Sequence, residues 1–260
     1  MRYLVLATDY DGTLAEDGKV SHETVAALDR FLQTGRKLVL VTGRHLPDLR
    51  TIFRPLDLFA RVVVENGGLL YRPDTREEKL LCGSPDQRLL DRLKERNIPF
   101  ELGRAVVATW RPHENVVRDA IRDVGLNLEV TLNKGSVMVL PSGIDKATGL
   151  QHALNELGIS LQNVVAVGDA ENDNSLLRIS ACGVAVANAL PSLKEHADIV
   201  LDSPRGAGVV ELIDEIIAND LSKFDEALRH SVSRGGSRDQ PGNEDGSKNQ
   251  RSSLRPEQAF

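Results

Sequence analysis

Short runs of apolar residues recur along this chain with no polar residue alternating through them: Tyr3-Leu4-Val5-Leu6-Ala7, Lys37 to Val41, Arg61 to Val64, Val164 to Val167 and Cys182 to Val186. A strand with one face in water alternates apolar and polar residues. A continuous run is what a strand needs when helices cover both faces of a parallel sheet. Between the first two runs, Val25, Leu28, Phe31 and Leu32 recur at helical spacing behind Ser21, a good N-cap residue, and Gly35 stands where such a helix ends. Strand, helix and strand in this order make one right-handed crossover. The chain therefore predicts an α/β fold with a Rossmann-like parallel sheet at its core.

The middle of the chain reads differently. From Arg72 to Ser142 the order is helix, strand, strand, then helix, strand, strand: helices over Pro85 to Glu95 and His113 to Asp123, strands over Phe100 to Leu102, Ala105 to Trp110, Leu126 to Leu132 and Ser136 to Leu140. Asn133-Lys134-Gly135 supplies the chemistry of a three-residue hairpin loop. This αββαββ pattern predicts a smaller α+β domain over 72–142, inserted as a cap into a core made of 1–71 and 143–229. A last helix is expected over Gly206 to Leu228. Residues 230–260 carry almost no apolar side chains and are expected to form a disordered tail.

Composition narrows the function. With 32 Lys and Arg against 38 Asp and Glu, the net charge is -6. That balance argues against a nucleic-acid partner, which needs a clustered basic surface, yet a few placed cations and a metal are enough to hold a small anion. Cys82 and Cys182 belong to no Cys-x-x-Cys pair, so zinc and thiol-redox chemistry have little support. The apolar start at Tyr3 to Ala7 is shorter than a secretory core, and no stretch approaches the roughly 18 apolar residues of a membrane span. A cytoplasmic protein with no membrane partner is expected; the oligomeric state is left open.

Acidic and hydroxyl residues gather at the carboxyl ends of the expected strands, where open α/β sheets bind ligands. Asp9-Tyr10-Asp11-Gly12-Thr13-Leu14 follows the first strand. Two carboxylates so close repel each other unless a cation lies between them or water solvates them. Val41-Thr42-Gly43-Arg44 ends the second strand, with a hydroxyl on Thr42 and a backbone at Gly43 that a phosphate can approach. Gly168-Asp169-Ala170-Glu171-Asn172-Asp173 ends another strand, and Asp169 and Asp173 can face one cation; oxygen ligands suit Mg²⁺ better than zinc. Asp173 or Asn172 reads equally as a helix cap. Lys146 falls in the first turn of a helix, an unfavourable place for a cation unless an anion is near. Each element taken singly also fits an ordinary polar loop or surface residue.

Taken together, the order and spacing of these four elements resemble the haloacid-dehalogenase superfamily of phosphohydrolases, in the branch with a type-2 cap after the third strand. The signature Asp-x-Asp-x-Thr, a Ser or Thr at the second strand end, a Lys, and Gly-Asp-x-x-x-Asp is matched at Asp9, Asp11, Thr13, Thr42, Lys146, Asp169 and Asp173. Glu65-Asn66-Gly67-Gly68, at the entrance to the insert, also looks like this branch. The compact cap is similar to that of archaeal phosphoglycolate phosphatase and sucrose-phosphatase-like members. The resemblance spans Met1 to Asn219 and implies a phosphatase acting on a small phosphorylated metabolite. It makes Asp9 the nucleophile and Asp11 the general acid and base. It gives Mg²⁺ the ligands Asp9, the Asp11 carbonyl, Asp169 and Asp173, the last direct or through water. Thr42, Gly43 and Lys146 would hold the phosphoryl oxygens, with Arg44, Asn66 and Asn172 as further candidates. A phosphomutase or phosphotransferase would share every motif, and a silent phosphate-binding module remains a contrasting reading. Arg72, Arg104, Arg111, His113 and Lys134 are candidates by charge for contacting the leaving group, though each also reads as a surface residue.

Overall fold

The computed structural model describes residues 1–224. The chain opens with β1 (Val5–Thr8), α1 (His22–Gln33), β2 (Lys37–Val41), α2 (Leu46–Ile52), β3 (Arg61–Val64), β4 (Leu69–Arg72) and β5 (Glu77–Leu80). It continues with α3 (Gln87–Glu95), β6 (Glu101–Leu102), β7 (Val107–Trp110), α4 (Glu114–Val124), β8 (Leu128–Asn133) and β9 (Ser136–Pro141). The described residues go on to α5 (Lys146–Leu157), β10 (Val164–Gly168), α6 (Asn174–Ile179), β11 (Cys182–Ala185), α7 (Pro191–Lys194), β12 (Ile199–Val200) and α8 (Arg205–Asn219).

An eight-stranded sheet runs in the order β12-β11-β10-β1-β2-β3-β4-β5. Its strands are parallel from β12 through β3, and β4 and β5 fold back antiparallel. Every residue of β1, β10 and β11 is buried, as two helical layers require: α1 packs with α8, and α5 with α6. Ser21 caps α1 by accepting from the Thr24 amide at 3.1 Å. The chain leaves β1 toward β2 on one side and returns through β10 on the other, so the order of strand addition reverses beside β1. That switch point is where such sheets hold their ligands.

The second sheet, β6-β7-β9-β8, is antiparallel. Its outer face packs on α3 and α4 through Leu89, Leu93, Val117, Ala120, Val107 and Val139. Val106, Met138 and Leu140 form a separate apolar group with Ala108 and Ile144. This is the expected αββαββ insert with a core of its own.

Three details depart from the sequence reading. Residues 72–80 were expected in the insert, whereas β5 hydrogen-bonds along β4 as the edge of the large sheet. We therefore draw the boundary just after Leu80. The β8–β9 hairpin has a two-residue loop rather than three: Asn133 pairs with Ser136, and Lys134 takes up the turn at φ 52°. The last helix stops at Asn219, because Asp220 turns left-handed (φ 56°) and accepts from Arg36 at 3.0 Å. The tail expected over 230–260 lies outside the described residues.

Candidate active site

Asp9 sits one residue beyond β1, and its amide continues the sheet by donating to Val167 O at 3.0 Å. Asp169 follows β10, the strand paired with β1. The two acids are brought in by neighbouring strands from opposite ends of the chain. Asp173 folds back beneath Asp169: its Oδ2 accepts from the amides of Asp169 and Ala170, each at 3.0 Å. It is thus a cap for its own turn as well as a member of the acidic cluster. Among the described residues, Asp9, Asp169 and Asp173 are the three buried side chains whose carboxylate oxygens lie within 4.8 Å of one another.

Lys146 opens α5 and is 0% exposed. Its Nζ lies 2.6 Å from Asp9 Oδ1 and 2.5 Å from Asp173 Oδ1, the anions that make a first-turn cation tenable. Asp145 seats the helix with a capping box, accepting from the Thr148 amide at 2.9 Å while Thr148 Oγ1 accepts from the Asp145 amide at 2.9 Å. Burial works against the Lys146 ammonium, but Asp173 and Asp9 more than offset it and hold its pKa above the ordinary value. Burial, with Asp173 adding to it, pushes the Asp9 carboxyl up to about 7 despite Lys146. Burial also raises Asp169, against the pull of Lys134. Three acids face two ammoniums, the buried Lys146 and the half-exposed Lys134, which leaves negative charge over for a further cation. Asp169 Oδ1 is buried with no hydrogen-bond partner, and every donor atom in the cluster is a hard carboxylate oxygen. The set fits a divalent ion such as Mg²⁺.

Asp11 points away from this cluster. Arg44 grips it with two bonds, Nε to Oδ2 at 2.6 Å and Nη2 to Oδ1 at 2.7 Å. Gly12 adopts φ 86°, and a Cβ there would fall 2.2 Å from Asp169 Oδ2. Only glycine lets the loop pass so close to the acid. Thr13 Oγ1 is buried and partnerless. Thr42 is buried at the end of β2, its Oγ1 accepting from the Arg44 amide at 3.2 Å, and Gly43 follows it. Asn66, at φ 53°, ties its backbone to Thr42 O at 3.0 Å, and its Oδ1 accepts from Asn172 Nδ2 at 3.0 Å. The remaining amide atoms of that pair, Asn66 Nδ2 and Asn172 Oδ1, are buried without partners. Such orphaned groups are costly unless a ligand meets them.

Two contacts escaped the sequence. Asn188, just past β11, donates to Gly12 O at 2.8 Å and lies 3.3 Å from Asp169 Oδ2; its place after a parallel strand was the available signal. Lys134, read as one of five equal cap candidates, places Nζ 2.8 Å from Asp169 Oδ2. Of the other four, Arg72 pairs with Glu156 and Glu77, Arg104 pairs with Glu78, and His113 lies against Trp110 at 6.3 Å. Arg111 donates its amide to Gly135 O at 3.0 Å.

The strand order reverses beside β1, with acids after β1 and β10 and a lysine between them. Residues 6–105 and 118–213 match the family described as haloacid dehalogenase-like hydrolase, and the chain belongs to it. Within that family it is an enzyme of the phosphatase type. It is 31% identical over 227 residues to phosphoglycolate phosphatase 2 of Saccharolobus solfataricus, covering 85% of this chain and 95% of the relative. It is 32% identical over 216 residues to the phosphoglycolate phosphatase of Methanothermobacter thermautotrophicus, covering 80% and 96%. A haloacid dehalogenase-like hydrolase from Bacteroides thetaiotaomicron superposes with a TM-score of 0.70 at 22% identity, covering 82% of this chain and 99% of that one. No helix among the described residues is long and apolar enough to cross a membrane.

Proposed function

We propose that the chain is a Mg²⁺-dependent phosphomonoester hydrolase that passes the phosphoryl group of a small metabolite through Asp9. The observation that carries this reading is the convergence of Asp9, Asp169 and Asp173 around buried Lys146. Asp9 Oδ1 is engaged by Lys146, which leaves Oδ2 to attack phosphorus and form an aspartyl phosphate. Asp11 gives a proton to the departing oxygen. In the second step it takes a proton from the water that attacks the aspartyl phosphate, so that inorganic phosphate leaves and Asp9 is regenerated. The Arg44 fork that holds Asp11 also matches phosphoryl oxygens. Thr42, the Gly43 backbone and Lys146 hold the transferring oxygens, with Thr13, Asn66 and Asn172 supplying further polar groups. Asp9, the Asp11 carbonyl and Asp169, with Asp173 direct or through water, would hold Mg²⁺, whose charge would offset the repulsion between carboxylate and phosphate.

The similarity to phosphoglycolate phosphatases makes a small phosphorylated acid, phosphoglycolate itself or a sugar phosphate, the substrate to try first. The two free thiols, Cys82 and Cys182, suit the reducing cytoplasm. Turnover of p-nitrophenyl phosphate and phosphoglycolate with Mg²⁺ tests the reading. Asp9→Asn should lower kcat by roughly 10³-fold or more while the variant keeps its far-UV circular dichroism. Near-parental turnover by that variant, or hydrolysis indifferent to chelation, rejects the assignment.

A further inference from the structure

We propose that Lys134 is a positioning residue through which the inserted unit and the metal centre oppose each other. Its ammonium and the divalent ion draw on the same carboxylate, Asp169. This rests on the reading of Asp169 as a metal ligand.

Lys134 stands at the tip of the β8–β9 hairpin, turned by its positive φ toward the large sheet. Two contacts seat that tip. Its amide donates to Glu171 Oε2 at 3.0 Å, and its Nζ donates to Asp169 Oδ2 at 2.8 Å. The acid is nearly sealed, at 1% exposure, whereas the lysine is 48% exposed. The burial cost of Asp169 is therefore met in part by a cation that arrives from the other sheet on a flexible stem. Arg88, Arg96 and Arg122 of the insert pair within it, with Asp86, Asp123 and Asp119, whereas Arg104 and Lys134 reach across to the large sheet, to Glu78 and Asp169.

A charge-assisted bond of this kind lowers the negative charge that Asp169 can offer to a second cation. The effect holds whether the ion takes the partnerless Oδ1 or shares Oδ2, because both oxygens belong to one delocalised anion. Linkage makes the relation reciprocal: whatever Lys134 takes from the ion's affinity, the ion takes from the hairpin's grip. Loading the ion loosens the contact that holds the hairpin tip to Asp169.

The test uses the full chain without substrate. Mg²⁺ is titrated by calorimetry into the parent, Lys134→Gln and Lys134→Arg, and amide hydrogen exchange over Asn133–Ser136 is followed with and without the ion. Lys134→Gln should bind Mg²⁺ about 5-fold tighter or more, with Lys134→Arg close to the parent. Exchange at the hairpin tip should speed up on adding Mg²⁺ to the parent. In Lys134→Gln it should be fast already and should not respond. Unchanged or weaker binding by Lys134→Gln overturns the proposal, as does tighter binding with hairpin exchange in the parent indifferent to Mg²⁺, which would mean a diffuse field effect. A parent chain that binds no Mg²⁺ removes the metal reading and this inference together.

Discussion

Glu65 shows how much a single buried side chain can join. It is 2% exposed at the end of β3, and its carboxylate accepts from the amides of Arg104, Ala105 and Val106 at 3.1, 2.7 and 3.2 Å. One acid of the large sheet thereby holds the backbone that enters β7. Burial pushes the Glu65 pKa up, but His45, whose Nδ1 lies 3.5 Å away, and the three amides outweigh it, and the net shift is downward. His45 is raised in turn, chiefly by Glu65 against its own burial, with Asp48 and Glu101 adding to the effect. The depressed acid stabilises the fold fully above its ordinary value of 4.5, and that stability is lost as pH falls below it. The raised imidazole stabilises fully below 6.5, and its share is lost as pH climbs through the folded value. Glu65→Gln should flatten the dependence of Tm on pH below about 4.5, and His45→Ala should flatten it above about 6.5. Parental profiles in both variants would show that the pair carries no such linkage. Truncation to Ala leaves three amides without an acceptor and should cost about 2–4 kcal/mol in urea unfolding. Nothing in the sequence marked Glu65 for this role. Glu65-Asn66-Gly67-Gly68 stood out only by likeness to a family, since a lone acid does not reveal that backbone from 40 residues away will cover it. Lys146 was legible because a cation in a first helical turn implies an anion. The partner of Arg44 was not, because nothing local links it to Asp11.

At the scale of elements, legibility followed burial on two faces. β2 and β3 begin and end where their apolar runs do, and β1, β10 and β11 differ by one or two residues, because a strand covered on both sides must be apolar throughout. β5 was missed for the complementary reason: it is Glu-Glu-Lys-Leu with its first three residues exposed, the charged edge that keeps a sheet from pairing with other chains. The junction of β3 with α5 is where elements set the chemistry. Gly67 has φ 106°, and a Cβ there would lie 1.9 Å from Asp145 O. Asp145 caps α5, whose first residue is Lys146. Gly67→Ala must therefore move the start of that helix and draw Nζ away from Asp9. Shifts near 1 Å at reacting groups cost about 10²-fold in rate. We expect kcat to fall roughly 10- to 100-fold with a smaller change in KM, alongside a lower Tm. An unchanged kcat in the folded variant would show that α5 finds its place without this contact.

For the molecule as a whole, the acidic centre is a tie between distant parts of the chain. Asp9 and Asp169 meet only when β1 and β10 are paired in register, so the unfolded chain presents no comparable site. An ion that binds the folded form alone stabilises it by mass action, about 2.7 kcal/mol at a hundred times its Kd. For a protein of this size, each kcal/mol moves Tm by roughly 2–4 °C. Saturating Mg²⁺ should then raise Tm by about 5–10 °C, and chelation should return it to the starting value. Asp169→Asn removes the acid with the partnerless oxygen and should abolish the rise, while the overall charge of -6 is barely altered. That contrast separates a site from the general attraction of an acidic surface for cations, which would survive the substitution. A scan in which Asp169→Asn gains as much from Mg²⁺ as the parent would place the ion elsewhere on the molecule.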